Sequence, residues 1–336
     1  MRVVIIDHQV DGLEEFLAWL RGHPKWMSTP VIALVESPRT TSFVHVLSAG
    51  ADDAVPYGDA PGLAARLVEV GSYAVKRPEA TKGRALVAHP DASVRRVLGR
   101  QLRFAGFDPI FATTDDEIAA RTSDCRLVVA ALQGTDPLAT ISRLREANAK
   151  LPVVWLSSDE RAKVLQHHLA GENGVAVSRR SDPSDNLLFK VNELLAGDAI
   201  NARDSRRLLM STICAYRPAG ARLAAHGLTY NLSQRGLYVR SLAPLDRGTS
   251  LWFELQPSPS SPWIHLRGDV VWRRRPCDTA GAPAGFGVRI QEDECSPRDL
   301  SIWLDAYAEL LDQDPSSVYA ARPQTGVFPM VMGAMQ

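Results

Sequence analysis

Two clusters of side chains in the 336-residue sequence have the types and spacing to hold an anionic, hydrogen-bonding ligand. The first is Arg203-Asp204-Ser205-Arg206-Arg207, in which Arg203 and Arg207 stand four apart. Guanidinium forks meet phosphate oxygens bidentately, match the O6/N7 edge of guanine and stack on ring faces. The second is Asn231-Leu232-Ser233-Gln234-Arg235-Gly236, a short polar turn. There Asn231 can hydrogen-bond a base edge, Ser233 offers a hydroxyl and Gly236 lets the backbone approach closely. Each cluster alone is common, since arginines in linkers are usually solvated and Asn-x-Ser-x-x-Gly is a frequent hairpin pattern. Specificity comes from their occurring together, in order, at the mouth of a β-rich stretch.

That stretch must position them. Leu208 to Tyr216, Leu223 to Tyr230, Leu237 to Ser241, Ser250 to Leu255, Trp263 to Trp272 and Phe286 to Ile290 are β-like runs. Pro218-Ala219-Gly220, Asp246-Arg247-Gly248 and Pro257-Ser258-Pro259 break them. Many short strands at this spacing predict a small antiparallel barrel. Ser296 as N-cap and Pro297 in the first turn then start a helix. Its apolar stripe, Leu300, Trp303, Leu304, Tyr307, Leu310 and Leu311, predicts a lid over the open end of the barrel.

Together the two clusters and the runs between them resemble the PilZ domain, the small bacterial β-barrel whose signatures are Arg-x-x-x-Arg and (Asp/Asn)-x-Ser-x-x-Gly. Gly285-Phe286-Gly287-Val288-Arg289-Ile290 fits the closing strand. Pairing Arg203 with Arg207 leaves Tyr216 at the end of the first strand, whereas starting from Arg206 would put Met210 second and break the motif. The resemblance implies cyclic di-GMP as a ligand rather than a cofactor. It would be held by Arg203, Arg207, Asn231, Ser233 and Gly236, with Arg206 as an auxiliary cation. Because the arginines lie in the interdomain hinge, Ala202 to Arg207 is expected to become ordered on binding and reorient the barrel, at an entropic cost that binding must offset.

Upstream, the period is helical. In residues 1–80, Arg2 to Ile6, Pro30 to Val35 and Asp53 to Val55 read as parallel strands. Between and after them come a helix capped by Asp11, a helix ending at Gly50 and a closing helix from Leu63 to Val75. This β-α-β-α-β-α order resembles the second half of a response-regulator receiver domain, with Asp7 at the phospho-accepting position. The acidic pair that holds Mg²⁺ is missing, Val35 stands at the switch Ser/Thr position and the lysine position falls near Tyr57. A phosphoryl group at Asp7 would therefore lack charge stabilisation, and a structural strand-end acid is the preferred reading. A start upstream of Met1, or a cover over the exposed first strand, would account for the missing half.

Lys76 to Gly83 is a linker, and residues 84–198 carry a full (βα)₅ pattern, a flavodoxin-like doubly wound sheet. This unit also resembles a receiver. It has His89-Pro90 at the acidic-pair position, Ala131 at the phospho-acceptor, Ser157 at the switch hydroxyl and Arg179 at the lysine. Alanine cannot be phosphorylated, so the unit reads as a pseudo-receiver that docks a protein partner or forms a homodimer. The barrel domain spans 203–313, and 314–336 lacks periodicity and reads as a disordered tail.

Composition bounds the rest. With 45% hydrophobic and 23% charged residues the chain is an ordinary globular one. Its 38 basic and 38 acidic residues cancel, so an anion site must be a local cluster. The four cysteines have no metal-ligand spacing and read as reduced cytoplasmic thiols, and no apolar run is long enough for a membrane span. No nucleophile-base constellation or phosphate-cradling glycine loop suggests an enzyme. The resemblances imply a bacterial cytoplasmic signalling adaptor, and they point to motility, pili or exopolysaccharide as its output without choosing among them. A ligand-independent protein scaffold is the alternative. A nucleic-acid regulator resting on Arg273-Arg274-Arg275 comes third, because a solvated strand end is the simpler account of that run.

Overall fold

The computed structural model describes residues 3–23, 25–37, 41–72, 82–132, 136–169, 172, 174–179, 184–196, 205–258, 260–276 and 281–313. The first unit runs β1 (Val4–Asp7), α1 (Leu13–Gly22), β2 (Val31–Val35), α2 (Thr41–Ala49), β3 (Asp53–Pro56) and α3 (Ala60–Gly71). Its three strands are parallel in the order β1-β2-β3. The apolar run Val31 to Val35 fills the central position, where both faces are covered. Asp11 does not cap α1. The cap residue is Gly12, whose φ of 76° suits a glycine, and no side chain bonds the helix start. Asp59 instead caps α3, accepting from Gly62 N at 2.9 Å, so this helix starts and ends earlier than the predicted Leu63 to Val75.

A complete doubly wound unit follows. It comprises β4 (Arg84–Ala88), α4 (Ala92–Phe104), β5 (Asp108–Ala112), α5 (Asp115–Arg121), β6 (Cys125–Ala130), α6 (Pro137–Ala147), β7 (Val153–Ser157), α7 (Asp159–His168), β8 (Val175–Arg179) and α8 (Ser184–Ala196). Its parallel sheet has the order β5-β4-β6-β7-β8, the flavodoxin-like arrangement. Alternation splits the strands between two cores. Ala85, Val87, Leu127 and Val129 face the helices α4 and α8, while Leu86, Ala88, Val128 and Ala130 pack with residues of α5, α6 and α7. Asp91, Thr114 and Asp136 each cap the helix that follows them.

The third unit is antiparallel: β9 (Leu208–Leu209), β10 (Ile213–Pro218), β11 (Ala225–Ser233), β12 (Gly236–Arg240), β13 (Ser250–Leu255), β14 (Ile264–Arg274), β15 (Gly285–Ile290) and then α9 (Pro297–Gln313). The order β10-β13-β14-β15-β12-β11 closes through pairing of β10 with β11, giving a six-stranded barrel with β9 added beside β11. The predicted single strand from Leu208 to Tyr216 is broken at Met210 to Thr212. There the buried Thr229 hydroxyl donates to the Met210 carbonyl and accepts from Thr212 N. Alternate residues such as Tyr216, Phe253, Leu266 and Phe286 point into one core. The helix α9 stoppers it: Trp303 is fully buried and Tyr307 joins the same cluster. Ser296 Oγ accepts from Asp299 N at 3.1 Å, as an N-cap should. Leu304 is a correction to the predicted stripe, being largely exposed.

The first unit skips the second in space and packs on the barrel. Ile213 and Leu228 of the barrel enter the core around α1 and α2, and Leu242 enters the one around α3. At the centre of this joint lies a buried ion pair, Arg66 Nε to Asp53 at 2.7 Å, with both side chains under 4% exposed. Asp53 also accepts from Leu242 N at 2.6 Å, and Arg66 donates to the His226 carbonyl at 3.0 Å. Burial works against the Arg66 charge, but Asp53 with Tyr216 and Asp59 together outweigh it and raise the guanidinium above its ordinary range. The far side of the sheet is different. Among the described residues β1 pairs only with β2, and Ile5 is 45% exposed.

Candidate functional site

The elements bring the two polar clusters to one place. β9 pairs with β11 so that Leu208 faces Leu232 and Leu209 faces Asn231, which sets Arg207 beside the polar turn. Ser205 Oγ accepts from Gln234 N at 3.2 Å, tying the two clusters directly. Three further bonds hold this frame. Trp303 Nε1 donates to the Gln234 carbonyl at 3.0 Å, Ile290 N to the Arg235 carbonyl at 3.0 Å, and Tyr307 Oη to the Arg206 carbonyl at 3.1 Å. The barrel stopper therefore also anchors the site.

Around this frame lies a cavity of about 490 Å³, within the roughly 300–1,000 Å³ usual for ligand pockets. Arg207, Asn231, Ser233 and Gly236 line it, as do Ser205, Arg235, Arg289 and Trp272. Among the described residues no acidic side chain lines it, and Arg207, Arg235 and Arg289 make it locally cationic on a chain of zero net charge, with Arg235 Nε 3.8 Å from Glu292 at the rim. Arg206 does not line it, and Arg203 falls outside the described residues. Ser233 Oγ donates to the Gly236 carbonyl at 3.3 Å, closing the turn. Gly236 has a packing reason of its own: a Cβ there would overlap the Val288 carbonyl oxygen on β15.

An aromatic floor completes the cavity. Trp272 and Tyr238 stack with ring centroids 4.8 Å apart and planes 11° from parallel. The β14–β15 ladder shifts register between Val270 and Trp272 and sets Trp272 opposite Gly287, where a Cβ would run into the indole. Nothing in the sequence pairs Trp272 with a second ring, because Tyr238 lies on β12, across β15 from β14. Arg235 and Arg289 were equally missed as site cations. The alternation of β15 held the signal for Arg289, an exposed arginine between buried Val288 and Ile290.

The arginine run is not the solvated strand end that alternation implied. Arg273 pairs with Asp246, Arg275 Nε lies 3.8 Å from Glu69 and Arg274 lines a second cavity described below.

At Asp7 the geometry is clear. Tyr57 follows β3 and its hydroxyl donates to Asp7 Oδ1 at 2.5 Å. That bond, reinforced by Gln9 N, lowers the carboxyl below its ordinary range and pushes the phenol up to about 12. Above the ordinary aspartate range Asp7 thus favours the folded state, and this contribution fades as pH falls through its lowered value. A Tyr57→Phe variant is expected to titrate Asp7 higher, as read by the carboxyl carbon shift in NMR. In the wild type the Tyr57 phenolate should form only near pH 12 by ultraviolet difference absorbance. In the second unit Ala131 is buried immediately after β6. Among the described residues no group of three or more metal-ligating side chains occurs, and no helix is long and apolar enough to cross a membrane.

Residues 201–301 match the family model of the PilZ domain. The third unit is a PilZ domain, preceded by two parallel α/β units. Among solved structures, the PilZ domain with c-di-GMP of YcgR from Escherichia coli is 16% identical. The match covers 33% of this chain and 93% of that one, with a TM-score of 0.26. The Bacillus subtilis inhibitor of motility MotI/DgrA is also 16% identical at TM-score 0.27, over 32% of this chain. This chain covers only 50% of that protein's length. NtrX from Brucella abortus is 22% identical, covering 35% of this chain and 28% of its own, at TM-score 0.31. A search of curated proteins finds no match.

Proposed function

We propose that this chain is a cytoplasmic bacterial signalling adaptor whose PilZ domain binds cyclic di-GMP. The observation that carries this reading is one cationic cavity lined by Arg207, Asn231, Ser233 and Gly236, floored by a Trp272–Tyr238 stack. Arg207, Arg235 and Arg289 suit two phosphates, and Trp272 offers a face for a guanine, an interaction worth about 1–3 kcal/mol per base. Arg203 belongs to the same proposed set, with Arg206 acting through the backbone that Tyr307 holds. Neither Asp7 nor Ala131 carries a phosphorylation chemistry in this account. The two receiver-like units serve instead as docking or dimerisation surfaces for a protein partner.

Relay follows from how the units are joined. Through its bonds to Leu242 N and the His226 carbonyl the buried Arg66–Asp53 pair ties the first unit to the barrel, so a ligand-driven rearrangement falls on the seam with the second unit. Thermal unfolding with and without excess cyclic di-GMP tests the binding claim. A ligand that binds only the folded state should raise the midpoint by a few degrees. An unchanged midpoint at saturating ligand would favour the protein-only scaffold.

A further inference from the structure

A second cavity of about 310 Å³ opens at the seam between the pseudo-receiver and the barrel. Arg207, Asn231, Tyr238 and Trp272 line both cavities, so the two share one wall. The opposite wall belongs to the second unit: Lys82 just ahead of β4, and Asn192 and Glu193 on α8. Arg274 of the barrel completes it. Two contacts hold the walls together at this spot. Asn192 Nδ2 donates to the Gly281 carbonyl, and Phe189 meets Tyr230 edge-on with centroids 5.8 Å apart. We infer that the second unit supplies part of the ligand site, with Lys82 and Arg274 taking a phosphate oxygen of a ligand that also engages Arg207. Binding then reinforces the clasp that already holds α8 to the barrel, and occupancy is read at this seam.

This inference rests on the proposed cyclic di-GMP reading and deepens it. Its physical basis is that Lys82, Arg207 and Arg274 line one cavity, in which Glu193 is the acidic residue among the described lining residues. Burial, and next the charge of Arg274, hold Lys82 below its ordinary range, as expected of an ammonium facing another cation. An anion between them removes that penalty. The backbone of Lys82 is anchored separately, its N–H donating to the Gly106 carbonyl at 2.9 Å, while its ammonium also lies 5.4 Å from the Phe107 ring centroid, a contact that Lys82→Arg can keep.

The test is equilibrium dialysis of labelled cyclic di-GMP against the full chain at two salt concentrations. Lys82→Gln should weaken binding about tenfold and make the salt slope shallower, the signature of a lost ionic contact. Lys82→Arg should bind as wild type, and Asn192→Ala, which cuts the clasp, should weaken binding several-fold with the salt slope unchanged. Wild-type affinity and slope in Lys82→Gln would overturn the inference and leave the proposed function standing. No binding by the wild type would overturn both.

Discussion

An Arg66→Ala variant is expected to lose about 3–5 kcal/mol of stability, the cost of leaving one member of a buried ion pair alone. Asp53 would then sit with its carboxyl 2% exposed, facing only Leu242 N, Ala54 N and the Ser241 hydroxyl. The bond from Arg66 to the His226 carbonyl would be lost too. The loss should appear as a lower denaturant midpoint, together with faster proteolysis between the first unit and the barrel, because the pair sits at their joint. Replacing both members by apolar residues, Arg66→Met with Asp53→Leu, should recover much of the loss, since burying two charges is itself costly. A double variant as unstable as the single one would mean that the backbone bonds, and not the charges, hold the joint.

Arg207→Ala is expected to weaken cyclic di-GMP binding about tenfold to a hundredfold, on the order of 1–3 kcal/mol for a lost bidentate contact. Arg207 stands between the two cavities, so its guanidinium is the group best placed to serve both. Arg207→Lys should fall between, because it keeps the charge and loses the planar fork. Neither change touches the anchoring bonds from Gln234 N to Ser205 and from Tyr307 to the Arg206 carbonyl, so the barrel should melt as in the wild type.

Much of this architecture was legible in the chain because its periods are plain. The alternating residues of β13 and the continuous apolar run of β2 dictate their burial directly. Ser296, Pro297 and the stripe through Trp303 located α9, although Leu304 fell off its buried face. What stayed hidden depends on contacts between distant strands. Tyr238 and Trp272 form one platform only because β12 and β14 flank the glycine-bearing β15. Asp53 and Arg66 look like ordinary surface charges in sequence, since nothing local reveals that a barrel nearly two hundred residues further on will cover them. Gly236 was read as room for a ligand, whereas its packing against Val288 shows a strand crossing that also demands it. The gap between β9 and β10 went unseen because a single buried threonine hydroxyl makes it.

The most direct measurement is calorimetric titration of cyclic di-GMP into the wild type and into Arg207→Ala. The account predicts micromolar or tighter binding by the wild type, roughly −8 kcal/mol or better, falling at least tenfold in the variant. No heat and no binding in the wild type would contradict it, and the barrel would then be a protein-docking scaffold whose cationic cavity holds no such ligand.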